Sequence, residues 1–349
     1  MGNFCSFAAK LSTSQEVVSC GEDGSIALLD WQQAAVVQCW RGHERSVNRV
    51  AWVPSCQGVA SASRDTSVRL WHVDKPEAVL TCRGHVLSVT GLAAFDELGW
   101  ICSGARDCSM RLWDLSTGQQ LSCSTLASNM VTFMRAIPGE PAVLQSSEDL
   151  QLRVWDLRTM QPAQATDPPH VNIPLCCDCS PDGLYFVTSC NGFDGSGCEA
   201  PALGSMSMAA AGPGNAAGDC SSGLRDEFGS SATGSSSGLR VASGSTDRTV
   251  RIWDAGTGQQ LAQERLPAGH DDAAVTALAV LQRSNAGLGS AHQSTSVQSS
   301  TQHEHSTPST CLCAATFAGD LQIWNSEAIA AADGLSGSVR LNALATTCS

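Results

Sequence analysis

An all-β chain of repeated four-stranded sheets, nominally seven set as the blades of a propeller, is what this sequence of 349 residues predicts. Three observations carry the prediction. The tryptophans Trp71, Trp113 and Trp155 stand 42 residues apart, twice in succession. Each closes the same phrase, SASRDTSVRLW (61–71), CSGARDCSMRLW (102–113) and QSSEDLQLRVW (145–155), which returns as ASGSTDRTVRIW (242–253). Gly-His pairs lie upstream at 42–43 and 84–85. A period near 42 with these end marks is the spacing of a propeller blade.

The elements follow in order. A degraded first phrase, SCGEDGSIALLD (19–30), puts Leu29 in the tryptophan position. In the next unit GVASAS and SVRLW flank a turn carrying Asp65, and period-2 alternation sets Val68 and Leu70 on one face. The turn aspartates Asp65, Asp107, Asp149 and Asp247 each precede tryptophan by six residues. Strands at 171–179 and 184–190 open a fifth blade, but no Trp-Asp ending follows. LRVAS (239–243) already reads as the second strand of a sixth, and TFAGDLQIWN (316–325) closes the series at Trp324. From Trp155 to Trp253 is 98 residues, two units, which brings the count to seven.

Two segments interrupt the repeats. Gly, Ser and Ala make up 24 of residues 201–238, and residues 284–310 are rich in Ser, Thr, Gln and His. Neither holds enough apolar side chains to offset the entropy of ordering, so both are expected as mobile loops within one propeller spanning 4–345. The junction between the fifth and sixth blades is therefore expected to be incomplete or irregular, since an open gap would expose strand edges. Three alternatives stand: the loop supplies irregular strands, with Ser205–Met208 as one; the sequence lacks a piece; or the ring is short.

Composition excludes several function classes. With 33 acidic and 20 basic residues the net charge is −13, a poor match to phosphate, so nucleic acid is not an expected partner. No apolar run of about 18 residues and no basic, then hydrophobic, leader is present, and a cytoplasmic protein is expected. The 17 cysteines fall short of a disulfide scaffold, so reduced thiols are expected. No P-loop, nucleophile elbow or metal-ligand spacing occurs, so neither enzyme activity, metal nor cofactor is expected.

These phrases resemble the WD-repeat family. The resemblance implies a buried chain of hydrogen bonds in each blade, from turn Asp to the Gly-His histidine, to a strand hydroxyl, to the tryptophan indole. Two blades hold a complete set: His43, Ser61, Asp65, Trp71 and His85, Ser103, Asp107, Trp113. Such a network is read as structural rather than catalytic. GHERSVNRVAWVP (42–54), NMVTFMRAIPGEPAVLQSSED (129–149) and SCNGFDGSGCEA (189–200) further resemble one ciliary branch of that family. That branch implies a non-enzymatic scaffold in cilium-related trafficking, a cilium or flagellum location, and ELMO-domain regulators of small GTPases as partners.

A propeller binds through its narrow top face. The residues before the turn aspartates read Glu22, Arg64, Arg106, Glu148 and Thr246; those opening the innermost strands include Arg45, Asn48, Leu87, Thr90, Asn129 and Met130. Arg45, Arg64 and Arg106 make a basic spot on an acidic chain and suit an acidic peptide, with Asn48, Thr90 and Glu148 beside them. The alternative for Arg106 is an ordinary surface ion pair with Glu148, worth about 0–1 kcal/mol. Arg69, Arg111, Arg153 and Arg251, each two residues before tryptophan, read as packing stems. Separately, Met1-Gly2-Asn3-Phe4-Cys5-Ser6 fits N-myristoylation at Gly2 with Cys5 placed for a second acyl chain. The competing function is thus a lipid-anchored peripheral membrane adaptor. Membrane contact is expected only with that lipid, and the protein is otherwise expected to be monomeric.

Overall fold

The computed structural model describes residues 6–8, 16–30, 33, 35–165, 173–179, 185–190, 207–210, 240–244, 249–254, 260–265, 275–282, 310–316, 320–325 and 339–342. Among them are 26 strands in seven antiparallel sheets and no α-helix. Sheet 1 comprises Ser6–Ala8 (β1), Glu16–Cys20 (β2), Ile26–Asp30 (β3) and Ala35–Trp40 (β4). Sheet 2 runs through Val47–Val53 (β5), Gly58–Ser63 (β6), Val68–His72 (β7) and Ala78–Cys82 (β8). Sheet 3 has Val89–Phe95 (β9), Trp100–Ala105 (β10), Ser109–Asp114 (β11) and Gln120–Thr125 (β12). Sheet 4 follows with Val131–Ala136 (β13), Ala142–Ser147 (β14), Leu152–Asp156 (β15) and Gln161–Ala165 (β16).

The next two sheets are three-stranded. Sheet 5 holds Pro174–Cys179 (β17), Tyr185–Cys190 (β18) and Ser207–Ala210 (β19); sheet 6 holds Arg240–Gly244 (β20), Thr249–Asp254 (β21) and Gln260–Arg265 (β22). Sheet 7 is complete: Val275–Gln282 (β23), Thr310–Thr316 (β24), Asp320–Asn325 (β25) and Val339–Asn342 (β26). The first strands of the sheets pack side by side, β1 against β5 and β23, β5 against β9, β9 against β13, and β13 against β17. This is a WD-type β-propeller with an irregular junction between its fifth and sixth sheets. Sheet 5 lacks an outermost strand and sheet 6 an innermost one among the described residues. One strand does come from the Gly/Ser/Ala segment, at Ser207–Ala210 rather than Ser205–Met208. The remainder of 201–238, and all of 284–310 except Thr310, lie outside the described residues.

Within a complete blade, burial sorts the strands. All six residues of β6 are buried, whereas the outermost β8 alternates. Four tryptophans fill the gaps between sheets: Trp71, Trp113 and Trp155 at the repeat position, and Trp40, which the repeat reading passed over. Trp40 lies between sheets 1 and 2. It packs with Val18, Ile26, Leu28 and Trp71, and its indole N–H donates to the carbonyls of His72 and Lys75 at 3.1 and 2.9 Å.

Two sets of β-bulges recur from blade to blade. Opposite the tryptophan position, the outermost strand carries an unpaired residue, Val37, Val79, Leu121, Ala163 or Leu261. A bulge there twists the free edge and discourages pairing with another chain. The second set lies near the start of the innermost strands and leaves Asn48, Thr90 and Thr132 unpaired. Freed from their own ladders, these side chains bond the first residue of the next innermost strand. Asn48 Nδ2 donates to Val89 O at 2.7 Å, Thr90 Oγ1 to Val131 O, and Thr132 Oγ1 to Pro174 O at 2.7 Å.

In the first four sheets the residue after the turn aspartate sits in the left-handed region: Gly24 (φ 81°), Thr66 (φ 70°), Cys108 (φ 64°) and Leu150 (φ 69°). That conformation costs a β-branched residue about 1–2 kcal/mol and glycine almost nothing. Thr66→Gly should therefore raise stability by about 1 kcal/mol in a denaturant titration. An unchanged or lower midpoint would show that no strain is stored at that turn.

Candidate functional site

The blade networks come first because they set the turns that carry the top face. In sheet 2, Asp65 Oδ2 accepts from His43 Nδ1 at 2.8 Å. His43 Nε2 lies 2.7 Å from Ser61 Oγ, which also accepts from Trp71 Nε1 at 2.8 Å. In the tautomer whose Nδ1–H donates to the carboxylate, Nε2 is the acceptor for the serine O–H, so both ring nitrogens are satisfied. Sheet 3 repeats the arrangement with His85, Asp107, Ser103 and Trp113 at 3.1, 2.8 and 2.8 Å. The glycine of Gly-His is fixed by crowding. A Cβ on Gly42 would meet the Trp71 ring at 3.0 Å, and one on Gly84 would meet Arg111 Nη1 at 2.6 Å.

Burial alone would push the Asp65 carboxyl up, but hydrogen bonds from His43 and Ser67 hold it well below the usual carboxylate range. Asp107 is lowered in the same way by Ser109, Val86 N–H and His85 against its burial. Burial pushes the His85 imidazole below its ordinary value despite Asp107, which keeps it neutral as the network requires.

Sheet 4 has neither the histidine nor the serine, yet it builds a network from other residues. Gln145 Nε2 donates to Asn129 Oδ1 at 2.6 Å, and Trp155 Nε1 donates to Gln145 Oε1. Arg153 swings in to fill the place of the imidazole. Its Nη1 donates to Asn129 Oδ1 at 3.0 Å and Ser147 Oγ at 2.8 Å, and both its Nη atoms reach the Asp149 carboxylate. Arg153 is thus a buried network member, not the packing stem its spacing suggested. Asn129, read as a top-face residue, is fully buried beneath it. The signal available in the sequence was the joint replacement of the histidine by Ala127 and of the serine by Gln145 in one repeat.

The top face follows from the turns. Arg64 N–H bonds Ser46 O at 2.9 Å, Arg106 N–H bonds Ser88 O at 3.0 Å, and Glu148 N–H bonds Met130 O at 2.9 Å. This repeated clamp sets Arg64, Arg106 and Glu148 at equivalent corners of successive blades. Arg106 Nη2 pairs with Glu148 Oε1 at 3.0 Å, both partly exposed. Arg45 and Arg64 are exposed and make no ion pair with a described residue. The polar atoms of Asn48 and Thr90 are committed to the neighbouring blade. Asn48 also donates to Ser88 Oγ at 3.0 Å, so these two residues tie the corners together from below. The most exposed large apolar residue described is Val86, at 76 %, followed on the same loop by Leu87 at 51 %. Val86 occupies the place of Glu44 in the preceding repeat, an offset legible in the sequence but not used. Gly2, Cys5, Thr246 and Asp247 lie outside the described residues.

Burial pushes the thiols of Cys82, Cys176 and Cys179 up to about 11. Cys39 is disulfide-bonded, so the expectation of uniformly reduced thiols does not hold at that residue.

With this geometry in place, the comparison with known families is decisive for the repeats. The family described as WD domain, G-beta repeat matches residues 35–72, 76–114 and 230–254. The chain carries WD40 repeats. The first two matches cover the outer strand of sheet 1 and nearly all of sheets 2 and 3; the third covers β20 and β21 of sheet 6. No curated protein matches the chain. The likeness to a ciliary branch therefore rests on the stretches quoted above alone. WD40 repeats commonly mediate protein–protein contacts.

Proposed function

We propose that the chain is a non-enzymatic scaffold whose WD40 top face takes an acidic segment of a partner protein. The observation that carries this reading is the pair of exposed guanidiniums, Arg45 and Arg64, with no ion pair to a described carboxylate on a chain of net charge −13. Arg106 adds a third, shared with Glu148. Val86 and Leu87 supply apolar area beside them, and an apolar centre with arginine around it is how interface hot spots are composed. The resemblance of 42–54, 129–149 and 189–200 to WD repeat-containing protein 31 supports a finer reading: cilium-related trafficking, with ELMO-domain GTPase regulators as partners.

The test is a pull-down of an ELMO-domain protein by the full chain and by the Arg64→Glu/Arg106→Glu double variant. Truncating one desolvated interface arginine costs about 2–4 kcal/mol, so the double reversal should abolish capture. Both side chains are exposed, so circular dichroism and melting should stay within a degree or two of the parent. Capture that survives the double reversal would place the partner site elsewhere.

A further inference from the structure

The channel between the innermost strands contains a charge that neither the blade networks nor the top-face reading uses. Arg49 lies on β5, and its guanidinium carbon sits 4.5 Å above the ring of Phe133 on β13, two sheets further round. A side chain that reaches from sheet 2 to sheet 4 past sheet 3 must cross the channel. Its Nη1 donates to its own neighbour's carbonyl, Asn48 O, at 2.8 Å, while Nε is buried with no hydrogen-bond partner. No described carboxylate lies within ion-pair distance of it. The reason is written in the strands: across β1, β5, β9, β13, β17 and β23 the only acidic residue is Asp178. That carboxylate is taken by Arg135 Nε at 2.9 Å.

We infer that the central channel is an oxyanion site, with Arg49 as its principal ligand. Among the described inner strands, two arginines against one aspartate leave one positive charge in a passage walled by Phe133 and thiols, on a protein of net charge −13. Low-dielectric walls focus the field of such a charge on a small anion. The buried Nε–H is an edge that guanidinium uses, with Nη2, for bidentate contact to carboxylate or phosphate. Burial already lowers the Arg49 pKa, the penalty of a cation without a counter-charge, and an anion would relieve it. Access exists at this level, because Arg135 and Asp178 are both more than half exposed to solvent. The shared chemistry is an oxyanion, whether free phosphate or the carboxylate of an inserted side chain. The inference does not depend on the top-face reading.

The experiment follows the melting of the full chain against inorganic phosphate, and separately against a hexaglutamate peptide, at fixed ionic strength. Wild type, Arg49→Met and Arg49→Lys are compared. Methionine keeps an apolar stem over Phe133 and removes the charge; lysine keeps the charge and loses the fork. A saturable rise in melting temperature is expected in wild type, absent in Arg49→Met and shifted at least tenfold in midpoint in Arg49→Lys. A response to phosphate alone identifies a free oxyanion as the ligand, and an Arg49-dependent response to hexaglutamate identifies an inserted carboxylate. The Arg64→Glu/Arg106→Glu variant should keep the phosphate response, which separates this site from the top face. Equal responses in wild type and Arg49→Met, or no saturable response in wild type to either probe, overturn the inference.

Discussion

Arg153→Met should destabilise the protein by about 3–5 kcal/mol, while the same change at Arg69 should cost only about 1 kcal/mol. The two residues hold the same place in their repeats, two before the tryptophan, so sequence position predicts equal effects. The structure does not. Arg153 has a side chain 7 % exposed and donates to Asn129, Ser147, Gln151 and both oxygens of Asp149. Removing it leaves the Asp149 carboxylate, held below its ordinary pKa against the cost of burial by Arg153 and Ser147, with only Ser147 and the Gln151 N–H, and takes a donor from the buried Asn129. Arg69 stands 3.7 Å from Asp65, which keeps His43, Ser67 and Glu44 N–H as partners when the arginine is lost. Denaturant titration of the two variants measures the contrast. Equal losses would mean that the guanidinium of sheet 4 is not a replacement for the histidine.

The second large effect belongs to Asp65. Asp65→Ala removes the acceptor of His43 Nδ1–H and of the Glu44 N–H, and leaving buried donors unpaired should cost about 1–3 kcal/mol at neutral pH. The pH dependence has a definite sign. Asp65, Asp107 and Asp149 have folded-state pKa values depressed below their unfolded value of about 3.9. Their contribution is therefore fully present above about pH 4 and is lost as pH falls through the lower, folded values. His85, depressed from about 6.5 by burial, binds its proton more readily in the unfolded chain. Stability should thus begin to fall below about pH 6.5 and fall more steeply below about pH 4. Asp65→Ala should flatten the limb below pH 4 relative to wild type. Parallel acid limbs for the two proteins would contradict the assignment.

The repeat spacing was enough to expect seven sheets and the phrase positions, and the resemblance to the WD-repeat family implied the sets of four residues in sheets 2 and 3. Local chemistry explains why. A turn Asp, a Gly-His and a tryptophan at fixed intervals can be satisfied together only when strands pair in one register, and here Ser61 falls opposite Arg69 and Ala60 opposite Leu70. Period-2 burial then follows from the pleat. The basic corners were legible for the same reason, since Arg64 and Arg106 precede the turn aspartates by one residue in every repeat that has them.

What only the tertiary structure decided depends on contacts between repeats, which no single repeat encodes. Asn48 and Thr90 look like free polar residues at a strand start, but an inner-strand bulge turns each toward the next blade's carbonyl. Trp40 looks like a stray aromatic before Gly-His, but it packs between sheets 1 and 2 against Trp71. Arg153 becomes a network member where Ala127 replaces the histidine, because Asn129 and Ser147 offer it acceptors beside Asp149. Arg49 meets Phe133 across 84 residues of sequence only because the blades are arranged around a channel. Hydrogen-bonding chemistry repeats with the sequence and can be read from it. Packing between blades is set by volume and by ring geometry, and only the folded chain brings those residues together.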